Sequence, residues 1–235
     1  MSTDKQMKEG SNEPLSNSKE MPEGYFKELK RQELRKAELA SLLEEALKEE
    51  ALNPDTGPET DSGPETEIVF EAGCGHGHWL TSYATKEPEV CCVGIDLIAS
   101  RITKANHKKE KRSLAKLHFL KAELNEFLEV LPEHIKFKSV IFLFPDPWPK
   151  ARHHKNRMIQ FPLLKLLAQK MAPNGKLYFR TDDQAYYDWT IEHLGASEAW
   201  TIDNQTAWIH EEATYFQNLM DSYYSVIAQP MTLNG

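Results

Sequence analysis

The sequence predicts an α/β fold: a doubly wound, largely parallel sheet with helices on both faces, behind a helical N-terminal extension. Three observations carry this expectation. From Ile68 onward, short β-rich runs alternate with longer, charged runs of helical character, a pattern that places strands in a parallel sheet with crossover helices. A glycine-rich turn follows the first of these runs, and an acidic residue closes the second about 20 residues later.

The strands are expected at 68–73 (IVFEAG), 90–96 (VCCVGID), 117–120 (LHFL), 139–144 (SVIFLF) and 176–181 (KLYFRT), where β-branched and aromatic residues concentrate. Helices are expected at 78–85, 99–115, 125–131 and 159–171. The stretch 200–229, with Tyr223, Tyr224, Val226 and Ile227, adds strands at the sheet edge. Ahead of this domain, residues 1–22 are rich in Ser, Asn, Glu and Lys with little to bury, and are expected to be a disordered tail. Residues 23–52 turn to Leu, Ala, Glu, Lys and Arg, with Leu39, Leu42, Leu43, Ala46 and Leu47 at helical spacing, which predicts an amphipathic helix. Its end, Glu44 to Glu50, sets acids where the helix dipole favours cations, so fraying is expected there. Residues 53–66, with GPET repeated, read as an acidic Pro/Gly linker, and 67–235 as the catalytic domain.

A net charge of -8 argues against a nucleic-acid partner only until it is divided along the chain. Residues 1–66 hold nine basic and sixteen acidic side chains, which leaves the remainder at -1. From Arg101 to Arg157 there are fourteen Lys and Arg against six Asp and Glu, together with five histidines. That surplus suits a phosphate-facing stripe. Cys74, Cys91 and Cys92 make neither a disulfide framework nor a common metal spacing, and read as reduced thiols. No stretch approaches the roughly 18 apolar residues of a membrane span, and the N-terminus has no apolar signal core. A cytoplasmic protein is expected.

EAGCGHG, 71–77, lies between the first strand and a helix, the setting a cofactor loop needs. Its glycines Gly73, Gly75 and Gly77 are spaced GxGxG, and His78 stands where a dinucleotide fingerprint would want glycine. This favours S-adenosylmethionine over NAD. Asp96, ending the second strand, can accept hydrogen bonds from both ribose hydroxyls, and Glu123 follows the third strand, where such folds place a polar residue near the adenine.

FPDPWPKARHHKNR, 144–157, begins where the fourth strand ends, at the edge of the sheet where ligands bind. Pro145 and Pro147 restrain the backbone around Asp146. Trp148 offers a stacking face, while Lys150, Arg152, His153, His154, Lys155 and Arg157 offer donors to phosphates and base edges.

In this segment and the glycine loop the chain resembles the tRNA (guanine-N7) methyltransferase family across roughly 68–220. The resemblance implies a Rossmann-like methyltransferase sheet, S-adenosylmethionine held by Glu71, Gly73, Gly75, Asp96, Glu123 and Asp146, and a catalytic role for Asp146. It implies tRNA as partner, contacted by Lys150, Arg152, His153 and Arg157, with the methyl group delivered to N7 of a variable-loop guanine. Asp182, Thr214, Phe216 and Gln217 match the family positions near that guanine. Two positions depart from the family pattern: Glu123 stands for Asp or Asn, and Gln217 for Glu. Neither a metal nor a membrane is called for, and no protein partner is legible. A small-molecule methyltransferase would leave the basic cluster idle. A noncatalytic RNA-binding module would be the reading if the two departures marked lost chemistry.

Overall fold

Ile, Val and Phe at 68–70 stiffen the chain and carry large apolar side chains to both faces, so this run becomes a central strand buried on each side. In a computed structural model, residues 23–51, 59–60, 63–211 and 222–231 are described. The chain divides into two compact units, 1–35 and 36–235. The first is described from Glu23, is helical, and pairs Glu28 with Arg31 and Arg35 at 3.6 and 3.4 Å on exposed positions, contacts that contribute little.

The elements in chain order begin with helix α1 (Glu23–Ala51), which gives residues to each unit, and the two-residue strands β1 (Glu59–Thr60) and β2 (Gly63–Pro64). These two strands pair antiparallel inside the stretch expected as linker. There follow β3 (Thr66–Ala72), α2 (His78–Lys86), β4 (Cys92–Asp96), α3 (Ala99–Lys111), β5 (Leu117–Lys121), α4 (Leu124–Val130) and β6 (Ile135–Leu143). A short 3-10 helix spans Ala151–Asn156, and α5 (Phe161–Lys170), β7 (Met171–Thr181), α6 (Gln184–Gly195), β8 (Trp200–Ile202) and β9 (Tyr224–Pro230) complete the chain. The expected tail at 1–22 lies outside the described residues.

Seven strands form one sheet in the order β5-β4-β3-β6-β7-β9-β8. The first five are parallel, and β9 runs antiparallel between β7 and β8. The sheet is therefore mixed at its C-terminal edge, as the aromatic run near 223–227 suggested. The order reverses between β4 and β6 on either side of β3, which opens a crevice at the strands' C-terminal ends.

Alternation along β3 divides the core. Ile68, Phe70 and Ala72 face a cluster with Phe127 of α4, Leu163, Leu164 and Leu167 of α5, and Tyr186 of α6. Val69 faces the opposite cluster, with Trp79, Leu80 and Tyr83 of α2 and Ile102 and Ala105 of α3. This is the period-two pleat of a strand covered on both faces. Phe70 stacks on Phe127 at 4.6 Å and on Phe137 at 5.1 Å. Leu39, Leu43 and Leu47 of α1, at i, i+4 and i+8, are buried in the first cluster, and Lys36 pairs with Glu129 of α4.

Two local differences from the sequence reading have physical causes. The last helix before β7 ends at Lys170 rather than 171, because β7 starts at Met171 and carries a register shift before Lys176. Gly175 sits in that shift, where a Cβ would lie 2.6 Å from the Phe137 carbonyl oxygen. Helix α6, which no apolar period announced, is started by Asp183, whose carboxylate accepts the Tyr186 N–H at 2.7 Å.

Candidate active site

The turn from β3 into α2 has positive φ at Gly73, Gly75 and Gly77 (77°, 56° and 67°). At Gly77 a side chain is excluded twice, by that backbone and by crowding: a Cβ would fall 2.5 Å from the Phe119 ring and 2.8 Å from Ala105. The close approach lets α2 start directly against the sheet. Asp96 ends β4 and is buried. Its Oδ2 accepts the Gly75 N–H at 3.1 Å and an Arg101 Nη1 bond at 3.3 Å, while Oδ1 accepts the Ile98 N–H at 2.8 Å. A carboxylate has about four lone-pair sites, so this group ties the glycine turn to α3 and keeps capacity for a hydroxyl donor.

Glu71 lies near the end of β3 and is buried. Its Oε2 has no hydrogen-bond partner. Burial pushes its carboxyl up to about 8, with the Leu80 N–H opposing and the Asp96 charge adding to the shift. Burying a carboxyl without a full set of partners is costly, so its place beneath the glycine turn points to a ligand group that completes it. Cys74 is buried nearby, and burial pushes its thiol far above the ordinary range. Glu123 caps α4, accepting the Glu126 N–H at 3.0 Å through one oxygen and the Asn125 side-chain amide at 3.0 Å through the other. Its extra methylene, relative to Asp or Asn, still reaches the cap.

Beyond β6 the chain makes a strained turn. Phe144 and Trp148 have φ of 50° and 47° although neither is glycine, and they bracket Pro145, Asp146 and Pro147. Such strain costs on the order of 1–3 kcal/mol per residue and persists where surrounding contacts hold it. Arg157 is the principal holder. Its Nε donates to the Pro147 carbonyl at 2.8 Å, its Nη1 to the Ala185 carbonyl at 3.3 Å, and its guanidinium lies over the rings of Tyr186 and Trp189 at 4.9 and 5.1 Å. The side chain is 3% exposed. Arg157 thus differs from the outward RNA contact expected of it: two aromatic faces and two carbonyls hold it within the protein, with Nη2 left without a hydrogen-bond partner, and it braces the Asp146 turn.

A cavity of about 660 Å³ opens at the crevice. It brings Gly73, Asp96, Glu123, Asp146 and Arg157 together, with Arg101, Met158 and Asn156 as lining residues the sequence reading did not assign. Glu71 and Gly75 are not among the lining residues. Lys150, Arg152 and His153 stand outside the cavity at or on the 3-10 helix after the strained turn. Arg152 Nε bonds His153 Nε2 at 3.2 Å, and the His153 ring meets Trp148 edge-on at 6.0 Å. Asp182 is exposed just beyond β7, outside the cavity. Thr214, Phe216 and Gln217 lie outside the described residues. Among the described residues there is no group of three or more His, Cys, Asp or Glu able to hold a metal, and no helix long and apolar enough to cross a membrane.

The sheet order, the glycine turn at the reversal point and the acid closing β4 define a Rossmann-like methyltransferase domain. Residues 65–224 match the family described as "Putative methyltransferase". A tRNA (guanine-N(7)-)-methyltransferase of Rhodospirillum rubrum is 31% identical over 156 residues, covering 66% of this chain and 61% of that one. Another, of Caulobacter vibrioides, is 32% identical over 155 residues, covering 65% and 68%. An rRNA methylase of Streptococcus thermophilus superposes with a TM-score of 0.48 at 10% identity, over 72% of this chain and 89% of that one. The chain belongs to the tRNA (guanine-N7) methyltransferase family, and it spans less than two thirds of the length of the Rhodospirillum relative.

Proposed function

We propose that this protein transfers a methyl group from S-adenosylmethionine to N7 of a guanine in the variable loop of tRNA, in the cytoplasm. The observation that carries the reading is the meeting, at one cavity, of a glycine turn tied to Asp96 with a strained turn presenting Asp146.

The residues present fit the methyl donor. Glu71 Oε2, buried and without a partner, suits a cationic amino group that would draw the carboxyl into its charged form. Gly73 and Gly75 let the backbone approach a ligand closely. Asp96 would accept hydrogen bonds from the ribose hydroxyls, and Glu123 with the start of α4 would border the adenine. When bound, S-adenosylmethionine supplies an electrophilic methyl group on a sulfonium.

Guanine N7 carries a free lone pair, so no base has to remove a proton before attack. Asp146 acts by position and charge: it accepts hydrogen bonds from guanine donors, faces the cofactor, and offsets the positive charge that develops on the purine. Its rigid turn, braced by Arg157, keeps that carboxylate from having to reorganise. Lys150, Arg152 and His153 hold the RNA backbone outside the cavity. By the family resemblance, Asp182, Thr214, Phe216 and Gln217 are the residues proposed to recognise the guanine. The reacting base has to be exposed, which a loop of folded tRNA provides.

The test is incubation of the full chain with unmodified tRNA transcript and labelled S-adenosylmethionine, followed by nucleoside analysis. Labelled 7-methylguanosine, lost when the variable-loop guanine is replaced, is the expected result. Saturable cofactor binding with no label entering tRNA would refute the assignment.

A further inference from the structure

Arg180, near the end of β7, is buried to 3% exposure and takes no part in the chemistry proposed above. Its guanidinium is unusually well satisfied. Nη1 and Nη2 donate to the two carboxylate oxygens of Glu211, each at 2.9 Å, and Nε donates to Ser225 Oγ at 2.8 Å. The planar group lies against two aromatic rings, 3.9 Å from the centre of Trp208 and 4.4 Å from that of Tyr223. Glu211 is held below the usual carboxylate range, chiefly by its bonds to Arg180.

These partners come from two separated stretches. Trp208 and Glu211 lie on the chain that follows β8, while Tyr223 directly precedes β9 and Ser225 lies at its start. Arg180 joins both to the end of β7, one residue before Thr181 and two before Asp182. Its own carbonyl accepts the Phe144 N–H at 2.8 Å, and the Phe144 ring meets Tyr223 edge-on at 6.3 Å. Phe144 is the first strained residue of the Asp146 turn. Arg180 therefore connects the end of β7, the chain after β8 and the start of β9 to the Asp146 turn, whose Phe144 lines the cavity.

We infer that Arg180 is a positioning residue for the methyl acceptor, acting through Glu211 and Tyr223 to set the chain around the Asp146 turn and Asp182. The inference rests on the tRNA methyl-transfer reading. A bidentate pair, a third donor and two ring contacts specify one orientation, which a lysine cannot reproduce with a single flexible ammonium. None of these contacts involves Glu71, Asp96 or Glu123, so the cofactor side is expected to be indifferent to them.

The primary variant is Glu211→Gln, because Glu211 is largely exposed (59%) and its replacement leaves the core intact; Arg180→Lys accompanies it. The readouts are kcat and KM for tRNA, the Kd for S-adenosylmethionine by calorimetry, and cooperativity of thermal unfolding. In Glu211→Gln, kcat/KM for tRNA is expected to fall by about tenfold or more, as misplacement at a distance does. The cofactor Kd stays within about twofold, and Glu211→Asp recovers part of the loss. Unchanged kcat/KM for tRNA in both variants overturns the inference. So does a fall in cofactor affinity by the same factor, since that marks a general structural defect. Wild-type protein in the same assay separates the two levels: if it forms no 7-methylguanosine, the underlying reading fails instead.

Discussion

Glu71 is a single side chain whose burial makes stability depend on pH. Its folded pKa of about 8 stands above the ordinary 4.5. A carboxyl raised in this way contributes fully below pH 4.5, where both states are protonated, and its contribution is lost as pH rises through 8. Glu71→Gln is expected to flatten that dependence, and at about pH 9 to exceed wild type in stability by on the order of 5 kcal/mol. Urea unfolding from about pH 4 to about pH 9 checks this, and parallel pH curves for the two proteins would contradict it. Arg157 and Asp146 form the second case at this scale. Arg157→Lys keeps a charge but forgoes the Pro147 and Ala185 bonds and both ring contacts, so turnover is expected to fall by about tenfold or more with cofactor affinity little changed. That is the signature also expected of Asp146→Ala, and single-turnover rates beside cofactor titrations measure both. A loss confined to tRNA affinity would instead return Arg157 to the phosphate-binding role its sequence suggested.

Among the elements, α1 has the sequence of an appendage but not the packing of one. Its leucines at 39, 43 and 47 are buried with Ile68 and Phe70 of the central strand, so the stretch from Lys36 belongs to the same core as the sheet. Leu43→Ala, at a position with no exposure, is expected to destabilise the protein by about 2–5 kcal/mol. Chemical unfolding measures it, and a change below about 0.5 kcal/mol would mean that α1 is not part of the cooperative unit. The glycine turn and the Asp146 turn contrast in legibility. Glycines advertise positive φ in the sequence, whereas Phe144 and Trp148 adopt it without any such sign, held by the Arg157 bond to Pro147 and the Phe144 bond to Arg180.

At the scale of the whole molecule, the uneven charge along the chain matters more than the net value. The acidic excess lies before residue 67, and the basic surplus between Arg101 and Arg157. Within that surplus the structure divides the cations by task. Arg101 pairs with buried Asp96, Arg157 is inside the protein, and Lys150 and Arg152 are exposed beside the cavity. Binding of tRNA is therefore expected to weaken steeply with salt, and Lys150→Ala or Arg152→Ala to reduce the slope of log K against log salt by about 0.7–0.9 for each phosphate that is no longer neutralised. Arg157→Lys leaves that slope unchanged. Filter binding or fluorescence anisotropy across a salt series checks all three, and equal slopes for every variant would remove the 150–152 region from the interface.

The sequence by itself determined the class of fold, the glycine-rich turn and the family, because each rests on short-range signals. Alternating β-rich and helical runs, glycines at GxGxG spacing with Asp96 beyond them, and the PDPWPK segment are all read over a few residues to a few tens. Asp96 was legible as a site candidate for the same reason, and Glu71 through the family resemblance. What only the tertiary structure decided depends on which partners long-range packing supplies. It turned Arg157 inward, because Tyr186, Trp189 and two carbonyls 10 and 28 residues away receive its guanidinium. It started α6 from Asp183, made the part of α1 from Lys36 onward part of the core, and assembled Arg180 with Glu211, Trp208 and Tyr223 from three segments. A charged side chain carries no mark of whether it will face water or meet aromatic rings and carbonyls. The balance between its desolvation and those contacts is struck only when the distant segments are brought together.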